Sequence, residues 1–407
     1  MSKVNGFPLS KKWRSPGSQG PSLSLEEKSR ILFQLSLITW QLSQLRFEEI
    51  GSLFEENGHL QVKSCLSPGL VISERDTLEE LPCGPFTSEK EYFNALISAL
   101  LQHTECLPKS PCFFAPCPTR NEYDDDHEYC RACDQWNNFV TFGSKIDGAD
   151  NRVDYMIVGD CLREIVSKWV EEMSGFSQNI GRKRFCLHHP DLNVNNIFVD
   201  DDCQITCIID WVFCSTVPLS VLFMAPGLPQ SRDTLEAPLA AAFEDGLNNA
   251  ILADNKGDAV RKYLHKLRAF PGSNDFAWSF YRLASFDSAG DFYLFDEIWQ
   301  IMSNRNDDLD LSAFYRSKQS SDHYLQLHGE MKQDDEPLDR VMQREADYFQ
   351  RDIVGLTVSR KLTLVSEWTS RYRSRDPRGI RRNGNIFVAD DRLWRWVLQS
   401  LEQARLG

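Results

Sequence analysis

The stretch "LHHPDLNVNNIFVDDDCQITCIIDW", residues 187–211, decides how the rest of the chain is read. It places His189, Asp191 and Asn196 in one short polar segment, followed by the apolar runs "NIFV" and "QITCIID". Asp200, Asp201 and Asp202 separate these runs, and aspartates favour turns because their side chains bond their own backbone. The pattern predicts a β-hairpin. Such a hairpin folds Asp210 back over the loop before it and brings Asp191, Asn196 and Asp210 towards one point. Two carboxylates and a carboxamide gathered this way suit phosphoryl transfer. One aspartate orients or accepts the proton of an acceptor hydroxyl, while an asparagine and a second aspartate hold magnesium. The metal offsets the charge that develops as the phosphoryl group leaves.

The spacing is specific. His189, Asp191, Leu192, Asn196 and Ile197 form H-x-D-L-x-x-x-N-I, and Ile208, Ile209, Asp210 and Trp211 follow. In both parts the chain resembles the aminoglycoside phosphotransferase family, whose fold is protein-kinase-like. The segments "GSLF", "GPFTSEKEY" and "FGSKIDGADNRVDY" resemble its large fungal branch, so that the likeness runs in order over residues 25–330. The resemblance implies Asp191 as catalytic base, Asn196 and Asp210 as magnesium ligands, and ATP and Mg2+ as cofactors. The γ-phosphoryl group would pass to a hydroxyl of a small molecule. A catalytically inactive binding or scaffold protein on the same fold is the alternative. His189 reads as a hydrogen-bonded support of the loop, His188 as a packing residue, and Trp211 as core ahead of substrate platform. Val212 stands where the family commonly has an acid, which leaves any role of that acid open. The acceptor is not legible, because its pocket is built from the variable helices.

In kinase-like folds a small β lobe carries a nucleotide-covering loop and a phosphate-pairing lysine. Here the sequence ahead of the first helix, residues 1–23, is rich in Ser, Gly, Pro and Lys and predicts a disordered tail. "GSQG" at 17–20 lacks flanking apolar strands, Lys11 and Lys12 lie in a polar stretch, and no G-x-x-x-x-G-K-[ST] loop occurs. The expectation is a mainly α fold with a few short β-hairpins, a kinase-like C-terminal lobe without its N-terminal β lobe. A fragment of a two-lobed enzyme, a natural one-lobe binding protein and an enzyme with an unusual nucleotide site all fit this pattern.

Working outward, order is expected from Ser24, which with Glu27 forms a capping box ahead of Ile31, Leu32, Leu35, Ile38, Leu42 and Leu45 at helical spacing. Asn57-Gly58 inside "IGSLFEENGHLQV" predicts a two-residue hairpin turn. Ser88 and Glu91 cap a helix whose buried face is Tyr92, Phe93, Leu96, Ile97, Leu100 and Leu101. Helical spacing then fills 126–142, 151–175, 234–252, 256–268, 275–302, 309–330, 336–370 and 389–405. The domain is expected over 24–330, with 331–407 as a helical extension packed on it.

Other clusters keep two readings each. Cys112, Cys117, Cys130 and Cys133, with His127 nearby, have zinc-like spacing, yet "HEYCRACDQW" reads as helix and suits ordinary thiols. Asp124, Asp125 and Asp126 meet a cationic substrate or cap the next helix. The basic stretch "RYRSRDPRGIRRNG" at 371–384 is an anion contact or a solvated loop, and "NIFVADD" at 385–391 echoes "NIFVDDD" by chance. Cys186, Cys203, Cys207 and Cys214 read as small buried residues.

Composition bounds the partners. The 407 residues carry a formal net charge of −14, with 42% hydrophobic residues. That balance disfavours nucleic acid, whose phosphates need clustered Lys and Arg. No apolar run reaches the ~20 residues that cross a bilayer, and the N-terminus lacks the apolar core of a signal peptide. A cytoplasmic protein with reduced thiols and no membrane partner is expected.

Overall fold

A computed structural model describes residues 5–13, 22–72, 74–106, 120, 123–140, 149–229, 235–254, 258–269, 273–285, 294, 295, 298, 299, 316–335, 337–350 and 352–356. The basic stretch at 371–384, the echo at 385–391, the helix expected over 389–405, and Cys112 and Cys117 lie outside these residues. About 59% of the described residues are helical, with small antiparallel sheets of 2–3 strands. A mainly α fold with short hairpins is therefore what the chain adopts. No helix among the described residues is long and apolar enough to cross a membrane.

The local signals act as expected. Helix α1 (Leu25–Leu42) begins in a full capping box: Ser24 Oγ accepts from the Glu27 N–H, and the Glu27 carboxylate accepts from the Ser24 N–H. Strands β3 (Ser52–Glu56) and β4 (His59–Lys63) pair in register from Ser52↔Lys63 to Glu56↔His59. Their turn puts Asn57 at φ 54° and Gly58 at φ 79°, the doubly left-handed geometry that selects Asn-Gly. Helix α3 (Glu89–Cys106) starts where Ser88 and Glu91 exchange hydrogen bonds. All six residues of its expected inner face are 5% exposed or less.

Two three-stranded sheets frame the motif. One has the order β2–β5–β8, from Arg46–Phe47, Phe185–His188 and Ser215–Val217. The other has the order β1–β6–β7, from Phe7–Pro8, Ile197–Val199 and Ile205–Ile208. The expected hairpin is thus β6–β7, with Ile197 opposite Ile208 and a bulge after Phe198. Asp200 shapes its turn by accepting from the Asp202 and Gln204 N–H groups at 3.0 and 2.8 Å.

The first strand is a correction. Residues 5–13 are ordered, not part of a tail. Phe7 pairs with Val199 and Pro8 with Phe198, and a 3-10 turn over Leu9–Lys11 follows. Leu9 and Trp13 are 0% and 3% exposed, inside a core with Ile31, Leu32, Leu35, Val194, Ile197 and Phe243. Three apolar side chains offset the ordering cost that Ser, Gly and Lys content suggested would go unmet. Residues 1–4 and 14–21 lie outside the described part.

The chain divides by contact into two compact units, residues 1–99 with 162–285, and 100–161 with 286–407. The division does not fall at 330/331. In the first unit, helix α7 (Ala237–Ala253) packs on α1 so closely that a Cβ at Gly246 would sit 2.1 Å from Ser36 Oγ. There too Phe93, Trp169, Phe276 and Phe280 form an aromatic core, Trp169 lying in helix α5 (Ala149–Gln178) and the phenylalanines of the last pair in helix α9 (Ser273–Ser285). Helix α8 (Asp258–Ala269) packs against α9.

In the second unit, Arg152 is 1% exposed and bonds to three residues on two elements. Nε donates to Thr104 O at 3.0 Å, Nη2 to Glu105 O, and Nη1 to Asp334 Oδ2 at 2.9 Å. The Tyr324 hydroxyl, on a helix over Asp322–Met331, donates to Asp160 at 2.7 Å. Helix α4 (Asp126–Val140) begins under Asp125, which accepts from the Glu128 N–H at 2.8 Å, so the acidic run serves as its cap.

Candidate functional site

Strand β5 delivers the chain into the loop at 189–196, and β6 carries it away. The structure gathers Asp191, Asn193 and Asn196 around one carboxylate. Asn193 Nδ2 donates to Asp191 Oδ1 at 3.0 Å, and Asn196 Nδ2 donates to Asp191 Oδ2 at 3.2 Å and to Asp191 O at 2.9 Å. Both carboxylate oxygens are therefore oriented by amides, and the group is fixed in direction. The amide orientation of Asn196 follows from its surroundings, since only the nitrogen end can face two acceptors. Its Oδ1 is left as an acceptor.

Asn193 was not singled out by sequence reasoning. It also receives the Asn195 N–H on Oδ1 at 2.8 Å, an Asx-type turn that braces the loop. Its signal was present: an asparagine two residues after the aspartate is placed to close such a turn.

His189, expected as a support of the loop, is 2% exposed. Its Nε2 lies 2.8 Å from the Ile209 carbonyl, and its Nδ1 accepts from the Asp191 N–H at 3.3 Å. A carbonyl accepts only and an N–H donates only, so the single ring proton sits on Nε2. One imidazole thus ties the segment before Asp210 to the backbone of Asp191. The Ile209 N–H adds a bond to Asn196 O at 2.9 Å. Trp211 packs edge-on against His189, with ring centroids 4.7 Å apart, and donates Nε1–H to Ile208 O at 3.0 Å. It is a wedge behind the loop.

Asp210 follows Ile209 just past the hairpin. It is exposed and has φ 65°, a left-handed backbone that aspartate tolerates better than bulkier residues. Backbone bonds through Ile209 hold it beside Asn196. Among the described residues neither Asp191 nor Asp210 forms an ion pair. An Asn oxygen and an exposed carboxylate are hard oxygen donors. They fit magnesium held jointly with phosphate oxygens and water, not an all-protein cage. No group of three or more His, Cys, Asp or Glu residues that could hold a metal occurs among the described residues.

His188 differs from its neighbour. Burial holds its imidazole down to about 3, and Nδ1 finds no partner among the described residues. Its ring meets Tyr281 edge-on at 6.3 Å. The N-terminal segment reaches the site from outside the motif. The Ser10 N–H donates to Val194 O at 2.9 Å, and Lys12 Nζ donates to Asp201 O at 2.7 Å. Gln34 on α1 pins the same hairpin, accepting from the Ile205 N–H at 2.9 Å and donating to Cys203 O at 3.0 Å.

Of the zinc-like set, Cys130 is exposed and Cys133 half-buried on α4, both as free thiols. No protein-family model matches this sequence, and no curated protein matches it.

Proposed function

We propose that the chain carries a kinase-like phosphotransferase site, in which the ATP γ-phosphoryl group passes to a hydroxyl of a small molecule. The observation that carries this reading is the Asp191 carboxylate, gripped on both oxygens by Asn193 and Asn196. A carboxylate so directed suits the alignment of an acceptor hydroxyl, because positioning is most of what such sites contribute. Asp191 takes the hydroxyl proton as the phosphoryl group moves. Asn196 Oδ1 and the Asp210 carboxylate would hold magnesium. When bound, the metal supplies charge neutralisation at the phosphates. His189 keeps these donors in register through Ile209 and Asp191.

The test is calorimetry of ATP with magnesium on the whole chain, beside Asp210→Ala. Magnesium-dependent binding that weakens by about tenfold or more in the variant, or about 1.4 kcal/mol, supports the reading. No binding at millimolar ATP overturns it. A catalytically inactive binding protein on the same fold is the second reading. It is favoured by the want of a cationic partner at either carboxylate among the described residues. Nucleotide binding indifferent to magnesium and to Asp210→Ala would select it.

A further inference from the structure

Two cysteines remote in role from the motif are joined by their backbones. Ile50 and Phe86 exchange backbone hydrogen bonds of 2.8 Å in both directions. The Ser52 N–H reaches Ser64 O at 3.4 Å, and Ser52 Oγ receives the Leu66 N–H at 2.9 Å. Within this frame the Cys65 N–H donates to Cys83 O at 2.6 Å. That bond puts the two backbones in direct contact, and a disulfide spans Cα atoms about 4.4–6.8 Å apart. Both residues are free thiols. Cys65 is 1% exposed, and Cys83 is half-buried, open enough to meet a small oxidant.

The segment between them is tied down at several points. Ser67 Oγ lies 2.9 Å from the Tyr281 hydroxyl. Arg75, 0% exposed, donates to Gly69 O and, at 2.8 Å, to Ala284 O. A Cβ at Gly69 would stand 2.7 Å from Leu96 Cδ2. The flanking pairs and these anchors hold the two cysteine backbones together in the folded state.

We propose that Cys65 and Cys83 are a modification site: with a small disulfide oxidant such as oxidised glutathione they form an intramolecular disulfide that closes the loop between them. The Cys83 thiolate attacks one sulfur of oxidised glutathione, its S–S bond breaks, and one glutathione leaves as thiolate. Cys65 then loses its proton and attacks the Cys83 sulfur, expelling the second glutathione. Two protein thiols are oxidised and one glutathione disulfide is reduced to two thiols. Burial lifts the Cys65 thiol to about 11 and raises that of Cys83, so the exchange quickens with rising pH.

The experiment treats the folded, full-length chain with oxidised glutathione, quenches with acid, unfolds it and alkylates every remaining thiol. The expected result is joint loss of alkylation at Cys65 and Cys83, with a Cys65–Cys83 linked peptide that dithiothreitol releases. In Cys83→Ser, Cys65 is alkylated in full; in Cys65→Ser, Cys83 stops as a glutathione adduct. Full alkylation of Cys65 in the unsubstituted chain, or its linkage to another cysteine, overturns the proposal. That decisive arm needs no variant to fold.

Discussion

The two ring nitrogens of His189 leave it room for one proton. Replacing it by Phe keeps a ring against Trp211 but strands the Ile209 carbonyl and the Asp191 N–H. The expected cost is about 2 kcal/mol or more, read from urea unfolding. His188 makes a second prediction. It stays neutral in the folded chain down to about 3, while an unfolded histidine takes its proton near the usual 6.5. Its contribution is complete above that value and drains away as pH falls from 6.5 towards 3. The slope contributed by this one group approaches about 1.4 kcal/mol per pH unit. Unfolding titrations between pH 7 and 5 should show it, and His188→Gln should flatten it; an unchanged slope would place the titration elsewhere. At this scale the sequence names candidates by spacing and is a poor guide to grip. Asp191, Asn196 and Asp210 stand out by spacing. That Asn193 shares the grip on Asp191, and that His188 has a buried nitrogen without a partner among the described residues, depends on side-chain directions that spacing does not encode.

Elements whose signals are local were legible. The Ser24–Glu27 box, the Asn57-Gly58 turn and the Ser88–Glu91 cap each involve residues within a few positions, so pattern and structure answer to the same forces. Ser24→Ala should cost about 1 kcal/mol. Strand β1 was not legible. Its partner Val199 lies far along the chain, and the polar residues around Phe7, Leu9 and Trp13 hide a short apolar code. Gly6 exposes how tight that pairing is: φ is 92°, and a Cβ would lie 2.3 Å from Val199 O. Gly6→Ala should therefore unseat β1 and raise amide exchange at Ile197–Val199. Gly58→Ala, with φ 79° but nothing within 4 Å, should cost only about 1 kcal/mol and leave those amides protected.

At the scale of the molecule, the grouping of residues 100–161 with 286–407 rests on ties that cross long sequence separations. The Arg152–Asp334 bond joins positions 182 residues apart. No periodicity announces such a tie. Arg152→Ala removes a buried cation together with three bonds to Thr104, Glu105 and Asp334. A loss of about 3 kcal/mol is expected, discounted from a fully buried pair because Asp334 keeps half its surface in water. Calorimetry would read it as a lowered melting temperature. Strand β1 has a consequence for handling the protein as well. It occupies the outer side of β6, whose amides and carbonyls would otherwise face solvent as an open template. A chain begun at Ser24, where helical periodicity invites a boundary, would present that naked edge beside the apolar seat left by Leu9 and Trp13. Open edges recruit strands from other molecules. Such a chain is expected to self-associate with rising concentration, visible by light scattering, while the longer chain stays dispersed.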